Sequence, residues 1–167
     1  LTETNVNDQT KFISKFFKPE TEKKGLSLIL SNSLPSNEAI IRTDREKLYA
    51  VLTNLVKNAI KFTSTGTIEF GYKHIVTNSL TSSSELVFFV KDTGSGISSE
   101  LKDVIFERFR QGSESLNKSY EGVGLGLAIS KAYVEMLGGR IWIDKDSEIG
   151  SAFYFTLPYS FIRQEKS

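Results

Sequence analysis

The hydrophobic pattern of the chain changes its period directly after residue 61, and this change limits the possible folds more than any other feature. From Asp44 to Lys61 the apolar residues recur at the spacing of an amphipathic helix. From Thr67 to Val76 they alternate with polar residues, as in a half-buried strand, and Glu85–Lys91 is a second strand pattern. A polar segment, Thr77–Ser84, joins these two strands. The sequence therefore predicts a helix followed by a hairpin with a long turn.

Local signals predict where the first two helices begin and end. Asn7 is a suitable cap for the first helix, and Gly25 supplies its end. Pro19 lies inside this helix and predicts a kink or a break. Thr43 and Glu46 have the spacing of a capping box, which predicts the start of the second helix.

The remaining segments mix both kinds of element without regular alternation of strand and helix. The other predicted helices are Ser98–Phe106 and Leu125–Leu137, the latter ended by Gly138 and Gly139, and the other predicted strands are Leu26–Leu30, Ala39–Arg42, Arg140–Asp144 and Ser151–Leu157. Such a mixture indicates an α/β fold in two layers, with helices packed on a mixed, mostly antiparallel sheet.

Length and composition fit one domain. The chain has 167 residues, 39% of them hydrophobic, and a net charge of +1, so no overall field recruits nucleic acid. It has no cysteine, which excludes disulfides, thiolate metal sites and cysteine nucleophiles. No apolar run approaches the ~20 residues of a membrane span. We expect a domain over residues 1–158, a tail or linker over 159–167, and, because the chain begins at Leu1, a longer parent protein.

One face of the second helix carries residues suited to a phosphorylated ligand. Asn54, Asn58 and Lys61 are spaced at i, i+4 and i+7, so a helix places them in line. Two amides and an ammonium group in line can hold a hard cation and phosphate oxygens. The alternative for this segment alone is an ordinary solvated helix face.

Three glycine-rich or aromatic segments follow. Asp92–Ile97 reads Asp-Thr-Gly-Ser-Gly-Ile, directly after a strand, and its glycines permit close backbone approach to a flat ligand. Phe106–Arg110 reads Phe-Glu-Arg-Phe-Arg, which alone indicates packing and exposed charge. Gly122–Leu127 reads Gly-Val-Gly-Leu-Gly-Leu before a helix, where backbone amides can bind phosphate.

In this order, the four segments resemble the N, G1, F and G2 boxes of sensor histidine kinases. This family belongs to the GHKL superfamily, together with the type II topoisomerase, Hsp90 and MutL ATPases. The resemblance extends from the first helix to Leu157 and Pro158. It implies a Bergerat-type ATP-binding fold, with ATP and Mg²⁺ as ligands.

The resemblance also implies individual roles. Asn58 would coordinate Mg²⁺, Asn54 and Lys61 would hold the phosphates, Phe62 would pack against adenine, and Asp92 would accept a hydrogen bond from the adenine amino group. The segment Glu107–Gly122 would form a lid over the nucleotide. The remaining residues implied to bind the nucleotide are Gly94, Gly96, Ile97, Phe109, Gly122, Gly124, Leu125, Gly126, Leu127 and Ser151, the last as a support for Asp92. Asn54, Lys61 and Arg110 would act in catalysis.

Two positions depart from the family pattern. Ser95 stands between the G1 glycines, where the family usually has Ile or Val. Gln111 stands where many members have an arginine in the lid, which leaves Arg110, Arg108 and Lys118 as alternatives for contact with the γ-phosphate.

The residue four positions before Asn58 distinguishes phosphoryl transfer from hydrolysis. The related ATPases have a glutamate there, which activates water as a general base. In this chain the residue is Asn54, and an amide does not accept a proton at neutral pH. Asn54 therefore favours transfer to another nucleophile. An ATP-hydrolysing relative and a nucleotide-binding module without catalysis remain as alternatives.

The phosphoacceptor of such a kinase is expected outside this chain. The single histidine, His74, is followed by Ile75 in a strand pattern, whereas the family's acceptor lies on a helix before an acidic residue. We therefore expect His74 to be a core or edge residue. The resemblance implies a separate helical dimerisation domain as phosphoacceptor, homodimerisation through it, a response regulator or receiver domain as the next partner, and a cytoplasmic place within a membrane-anchored bacterial sensor.

Overall fold

The computed structural model describes residues 1–81, 83–93, 121–144 and 152–160, with the backbone alone for 121–125. Seven strands and three helices lie in these ranges: β1 Thr2–Asn5, α1 Val6–Lys24, β2 Ser27–Asn32, β3 Ile40–Thr43, α2 Arg45–Phe62, β4 Thr67–Asn78, β5 Ser83–Asp92, α3 Glu121–Met136, β6 Ile141–Asp144 and β7 Ala152–Tyr159. A short 3-10 turn, Ser36–Glu38, precedes β3.

Five of the strands form one mixed sheet in the order β2-β4-β5-β7-β6. The β2–β4 pair is parallel, whereas the other three pairs are antiparallel. Strands β1 and β3 form a separate antiparallel pair, and β1 was not predicted from the sequence. The predicted two-layer α/β fold, with helices on a mostly antiparallel sheet, is confirmed.

The core lies between the helices and one face of the sheet. Leu48, Leu52 and Leu55 give α2 a fully buried apolar stripe, because helical residues three and four apart share a face. From the sheet, Phe88 and Phe155 stack with ring centroids 4.7 Å apart. The core therefore fixes α2 against the centre of the sheet.

Strand β4 extends further than predicted. Its alternating residues Ile68, Phe70 and Tyr72 are buried as expected, but Val76 is 58% exposed. Strands β4 and β5 pair almost to the turn, with an irregularity between Val76 and Asn78. The predicted long turn is consequently much shorter, because backbone pairing continues into the polar segment.

Asn5, and not Asn7, caps α1. The Asn5 side-chain oxygen accepts hydrogen bonds from the backbone N–H groups of Asn7 (3.0 Å) and Asp8 (3.1 Å). The Asn7 side chain is instead buried, where it donates to the Leu34 carbonyl at 2.8 Å and accepts from the Tyr72 hydroxyl. Burial raises the pKa of Tyr72 to about 12.

The predicted end of α1 is correct, but the predicted break is not. Gly25 adopts the left-handed conformation, with φ 79°, and its N–H bonds back to the helix. The helix continues past Pro19 from Val6 to Lys24.

The cap of α2 is Asp44, one residue later than the predicted capping box. Thr43 still belongs to β3, where it is paired with Thr2, and the backbone of Asp44 after it is also extended, so the helix begins at Arg45. The Asp44 carboxylate accepts from the Lys47 N–H at 3.1 Å and from the Lys47 ammonium group at 2.9 Å.

Two further boundaries differ from the predictions. Helix α3 begins at Glu121, earlier than the predicted Leu125, and ends before Gly138, where φ is 87°. Tyr159 belongs to β7, and its hydroxyl donates to the Glu38 carbonyl at 2.6 Å. The predicted helix Ser98–Phe106 lies outside the described residues.

Asp44 should make the stability of α2 depend on pH. Hydrogen bonds from Lys47 lower the pKa of the Asp44 carboxyl below its ordinary 3.8. A carboxyl whose pKa is lower in the folded state stabilises the fold above its unfolded pKa, and this stabilisation is lost as the pH falls through the folded value. We expect Asp44→Asn, which retains a cap but not the charge, to be less stable than the wild type at pH 7. The difference should be smaller at pH 3, below the ordinary pKa of the carboxyl, and should shrink further as the pH falls. Urea unfolding at both pH values measures this, and a pH-independent difference would contradict it.

Candidate functional site

The end of helix α2, the start of β4 and the end of β5 lie on the same side of the sheet. After α2 ends at Phe62, a short connection leads to β4, which begins at Thr67. Strand β5 runs antiparallel to β4, so its last residue, Asp92, is paired with Ile68. Asp92 therefore lies at the end of the central strand, on the side of the sheet where the connection from α2 enters β4.

Helices α2 and α3 pack side by side in opposite directions. Near the start of α2, the Lys47 ammonium group lies 5.5 Å from the ring centroid of Tyr133. Two turns later, Asn54 contacts Gly126 and Ser130, which precede Tyr133 in α3. The last turns of α2, with Asn58 and Lys61, are therefore directed toward the start of α3.

Asn54 fits into a notch on α3. Its side-chain Nδ2 donates a hydrogen bond to the Ser130 hydroxyl at 3.1 Å. A Cβ at Gly126 would lie only 2.5 Å from the Asn54 Oδ1 and 3.0 Å from the Nδ2, so a larger residue there would displace the Asn54 amide from this position. We call the surface formed by Gly126 and Ser130 the α3 notch.

Asn58 is almost fully buried, with 8% of its surface exposed. Within the described part of the chain, its Nδ2 has no hydrogen-bond partner. An unpaired buried donor costs about 1–3 kcal/mol, so such groups in native structures call for an explanation. A primary amide offers an oxygen to a hard cation and an N–H to a phosphate or water oxygen. Asn58 thus fits the role of a Mg²⁺ ligand beside phosphate.

Lys61 and Phe62 complete the end of α2. Lys61 is exposed, and its ammonium group lies 5.6 Å from the centroid of the half-buried Phe62 ring. The backbone carbonyls of Ile60 and Lys61 accept from the Lys24 ammonium group. Positive charge at a helix C-terminus is favourable, and here it also gives this end of the site a cationic rim.

The predicted line of Asn54, Asn58 and Lys61 lies on one continuous helix, but the three environments differ. Asn54 is half-buried against α3, Asn58 is buried, and only Lys61 is exposed. The alternative of an ordinary solvated face therefore fails for the two asparagines.

Asp92 ends β5 and is 6% exposed. The next residue, Thr93, holds the strand end in place, because its N–H donates to the Thr67 carbonyl at 2.9 Å. The described ranges contain no cluster of three or more His, Cys, Asp or Glu side chains that could hold a metal ion.

The structure describes only part of the predicted site. Gly122, Gly124 and Leu125 lie in the first two turns of α3, and Leu127 is fully buried in the core. Several predicted residues lie outside the described ranges: Gly94, Ser95, Gly96, Ile97, Arg108, Phe109, Arg110, Gln111, Lys118 and Ser151. The same holds for the predicted lid except for Glu121 and Gly122, which are helical.

His74 lies in β4, as the strand pattern predicted. Its ring contacts the ring of Tyr159 edge to face, with centroids 4.7 Å apart, and its backbone N–H donates to the Ser33 hydroxyl at 2.9 Å. A histidine held in a strand against β7 matches the expected core or edge residue.

The sequence interpretation missed Ser130. The available signal was the four-residue spacing between Gly126 and Ser130, which places both on one face of α3. That face was not recognisable as a partner of Asn54, since the two residues are 76 positions apart.

Comparison with known proteins identifies the family. The family described as histidine kinase-, DNA gyrase B- and HSP90-like ATPase matches residues 43–160. The autoinducer 2 sensor kinase/phosphatase LuxQ of Vibrio cholerae is 36% identical over 152 residues, covering 91% of this chain and 17% of LuxQ. The sensor histidine kinase AruS of Pseudomonas aeruginosa is 44% identical over 110 residues, which is 66% of this chain and 11% of AruS. The chain belongs to this ATPase family, as a homologue of the ATP-binding domain of sensor histidine kinases.

Solved structures agree. The catalytic domain of histidine kinase ThkA superimposes with a TM-score of 0.73 at 27% identity, covering 94% of this chain and 96% of that one. Full-length ShkA, solved in complex with AMPPNP, has a TM-score of 0.75 at 25% identity, covering 98% of this chain and 32% of ShkA. The chain spans less than a fifth of the curated relatives LuxQ and AruS.

Among the described residues, no helix is both long and apolar enough to cross a membrane.

The α3 notch predicts an unusual response to a glycine substitution. Gly126→Ala would normally favour a helix by about 1 kcal/mol, but its Cβ would collide with the Asn54 amide. We expect Gly126→Ala to lower the free energy of unfolding, and Asn54→Ala to remove most of this loss when both changes are combined. Urea unfolding of the two single variants and the double variant measures the coupling. Equal effects of Gly126→Ala in both backgrounds would show that Asn54 does not occupy the notch.

Proposed function

We propose that this domain binds ATP with Mg²⁺ and donates the γ-phosphoryl group to a histidine on a separate helical dimerisation domain. This proposal rests on one observation about Asn54. Hydrolytic relatives have a catalytic carboxylate at this position, whereas Asn54 is an amide whose nitrogen donates to Ser130. An amide nitrogen engaged as a donor has no means of activating water. The γ-phosphoryl group of the bound ATP is then transferred to a nucleophile that reacts without a general base, such as a neutral imidazole.

The phosphates would be held between α2 and the start of α3. Asn54 and Lys61 supply N–H donors from α2, and the free backbone amides of the first turn of α3, around Gly122, supply others. Gly124 and Gly126 would line the phosphates, since they place no side chain there. Asn58 would hold Mg²⁺, which when bound supplies positive charge to the phosphate oxygens. The buried Asn58 Nδ2, which has no partner among the described residues, supports a place for this amide beside phosphate or water oxygens.

The adenine would lie beside the end of β5 and the end of α2. The buried Asp92 carboxylate can accept a hydrogen bond from the exocyclic amine, and the ring of Phe62 can pack on the base. Gly94, Gly96, Ile97 and Ser151 would complete this part of the site. The segment Glu107–Gly122 would close over the nucleotide, with Phe109 packing on it and Arg110, Arg108 or Lys118 reaching the γ-phosphate.

In the transfer step, the bond from the γ-phosphorus to its bridging oxygen breaks and a bond to an imidazole nitrogen forms, leaving ADP. Lys61 would stabilise the charge that develops on the phosphate oxygens, and Asn54 would orient the phosphate chain. The imidazole would come from the dimerisation domain, through which the full-length protein would form a homodimer. A response regulator or receiver domain would take the phosphoryl group next. The whole protein would place this domain on the cytoplasmic side of a membrane-anchored sensor.

The transfer can be tested with labelled ATP. The chain alone should acquire no stable phosphoryl group, and a matching dimerisation domain added in trans should become labelled on histidine. Asn58→Ala should abolish this labelling. Lys57→Ala, an exposed neighbour on the same helix, should leave it intact. Label on His74, or release of free phosphate without any transfer, would contradict the proposed reaction.

The adenine assignment predicts base selectivity. In Asp92→Asn the acceptor loses its charge, and a hydrogen bond to a charged group contributes roughly 1.5–3 kcal/mol, so affinity for ATP should fall about ten-fold or more. The wild type should bind GTP poorly, because the six-position oxygen of guanine would face another acceptor. Calorimetric titration with both nucleotides measures this, with the exposed Asp8→Asn as control. Similar affinities for ATP and GTP in the wild type would refute the assignment.

A further inference from the structure

Ser130 is 1% exposed, and its hydroxyl accepts a hydrogen bond from Asn54, a candidate phosphate ligand. It lies one helical turn after Gly126, so both residues face the same side of α3. Gly126 provides the space for the Asn54 amide, and Ser130 provides a hydrogen-bond acceptor within that space. The α3 notch therefore fixes the position of the amide.

Orientation matters because the two ends of a primary amide have nearly the same shape but opposite polarity. The last torsion of an asparagine side chain is broad and roughly two-fold, so packing alone does not select one orientation. In the structure Nδ2 points to the Ser130 hydroxyl, and the hydrogen bond between them restrains the side chain in this arrangement. One N–H of Nδ2 then serves Ser130, and the second is left to donate to another acceptor. In the reversed orientation, the same acceptor would face the amide oxygen, which cannot donate a hydrogen bond.

We propose that Ser130 is a positioning residue that holds the Asn54 amide with its nitrogen available to the ATP phosphates. The inference rests on the proposed function, in which Asn54 contacts the phosphates. Ser130 itself touches no nucleotide in this arrangement, since its hydroxyl is buried beneath Asn54. Its contribution should therefore appear in the recognition of phosphate and not in that of the base.

Affinities for ATP and for adenosine separate these two contributions. Ser130→Ala removes the hydroxyl, adds no atoms and favours the helix, so the variant should fold. Loss of one oriented hydrogen bond should weaken ATP binding by about three- to ten-fold and leave adenosine binding unchanged. Thr10→Val is the matched control, because it also removes a buried hydroxyl that accepts a hydrogen bond from an asparagine amide, that of Asn32, near the start of α1. It should alter neither affinity.

A double-variant cycle tests whether Ser130 acts through Asn54. Asn54→Ala alone should weaken ATP binding relative to adenosine, and adding Ser130→Ala should cause no further loss. Additive losses, equal losses for both ligands or an unaltered ATP affinity in Ser130→Ala would overturn the inference while leaving the role of Asn54 intact. An unaltered ratio of ATP to adenosine affinity in Asn54→Ala would instead refute the phosphate role of Asn54, and with it both proposals.

Discussion

The rest of the structure depends on the packing of α2, which is held by the sheet on one side and by α3 on the other. Its fully buried leucines, Leu48, Leu52 and Leu55, each contribute about 1.5–3 kcal/mol by burial. A single unpaired amide such as that of Asn58 costs about 1–3 kcal/mol. The burial of the apolar stripe therefore stabilises α2 by more than the unpaired nitrogen of Asn58 destabilises it. The helix can keep its packed position while Asn58 remains available to a ligand.

Two buried asparagines show how the fold treats polar groups differently. Asn7 uses both ends of its amide, donating to the Leu34 carbonyl and accepting from the Tyr72 hydroxyl, so it joins α1 to the sheet. Asn58 is as deeply buried, but its nitrogen has no partner among the described residues. In the part of the chain that the structure describes, the hydroxyls of Thr53 and Thr63 also lack a partner, but Asn58 is the one of these three that lies one helical turn after Asn54. A satisfied amide stabilises the fold, whereas an unsatisfied one is available to a ligand.

The differences between prediction and structure have a common cause at the helix starts. Several Asn, Asp and Thr residues compete as caps, and the cap is the residue whose backbone is extended while the next residue turns into the helix. The pairing of β1 with β3 keeps the chain extended up to Asn5 and through Thr43, so each cap is the last extended residue before its helix. Asn5 then caps α1 directly, and the cap of α2 passes to Asp44. β1 was not visible in the sequence, so neither cap was predictable from the local pattern.

The sequence by itself determined the helical spacing of Asn54, Asn58 and Lys61, the hairpin that ends at Asp92, and the family to which these motifs belong. These features follow from local periods of 3.6 and 2 residues, which need no knowledge of distant segments. Only the tertiary structure decided that Asn54 enters a notch between Gly126 and Ser130, and that Asn58 is buried while Lys61 is not. The direction in which α3 crosses α2 depends on how both helices cover one sheet. No local pattern records that geometry.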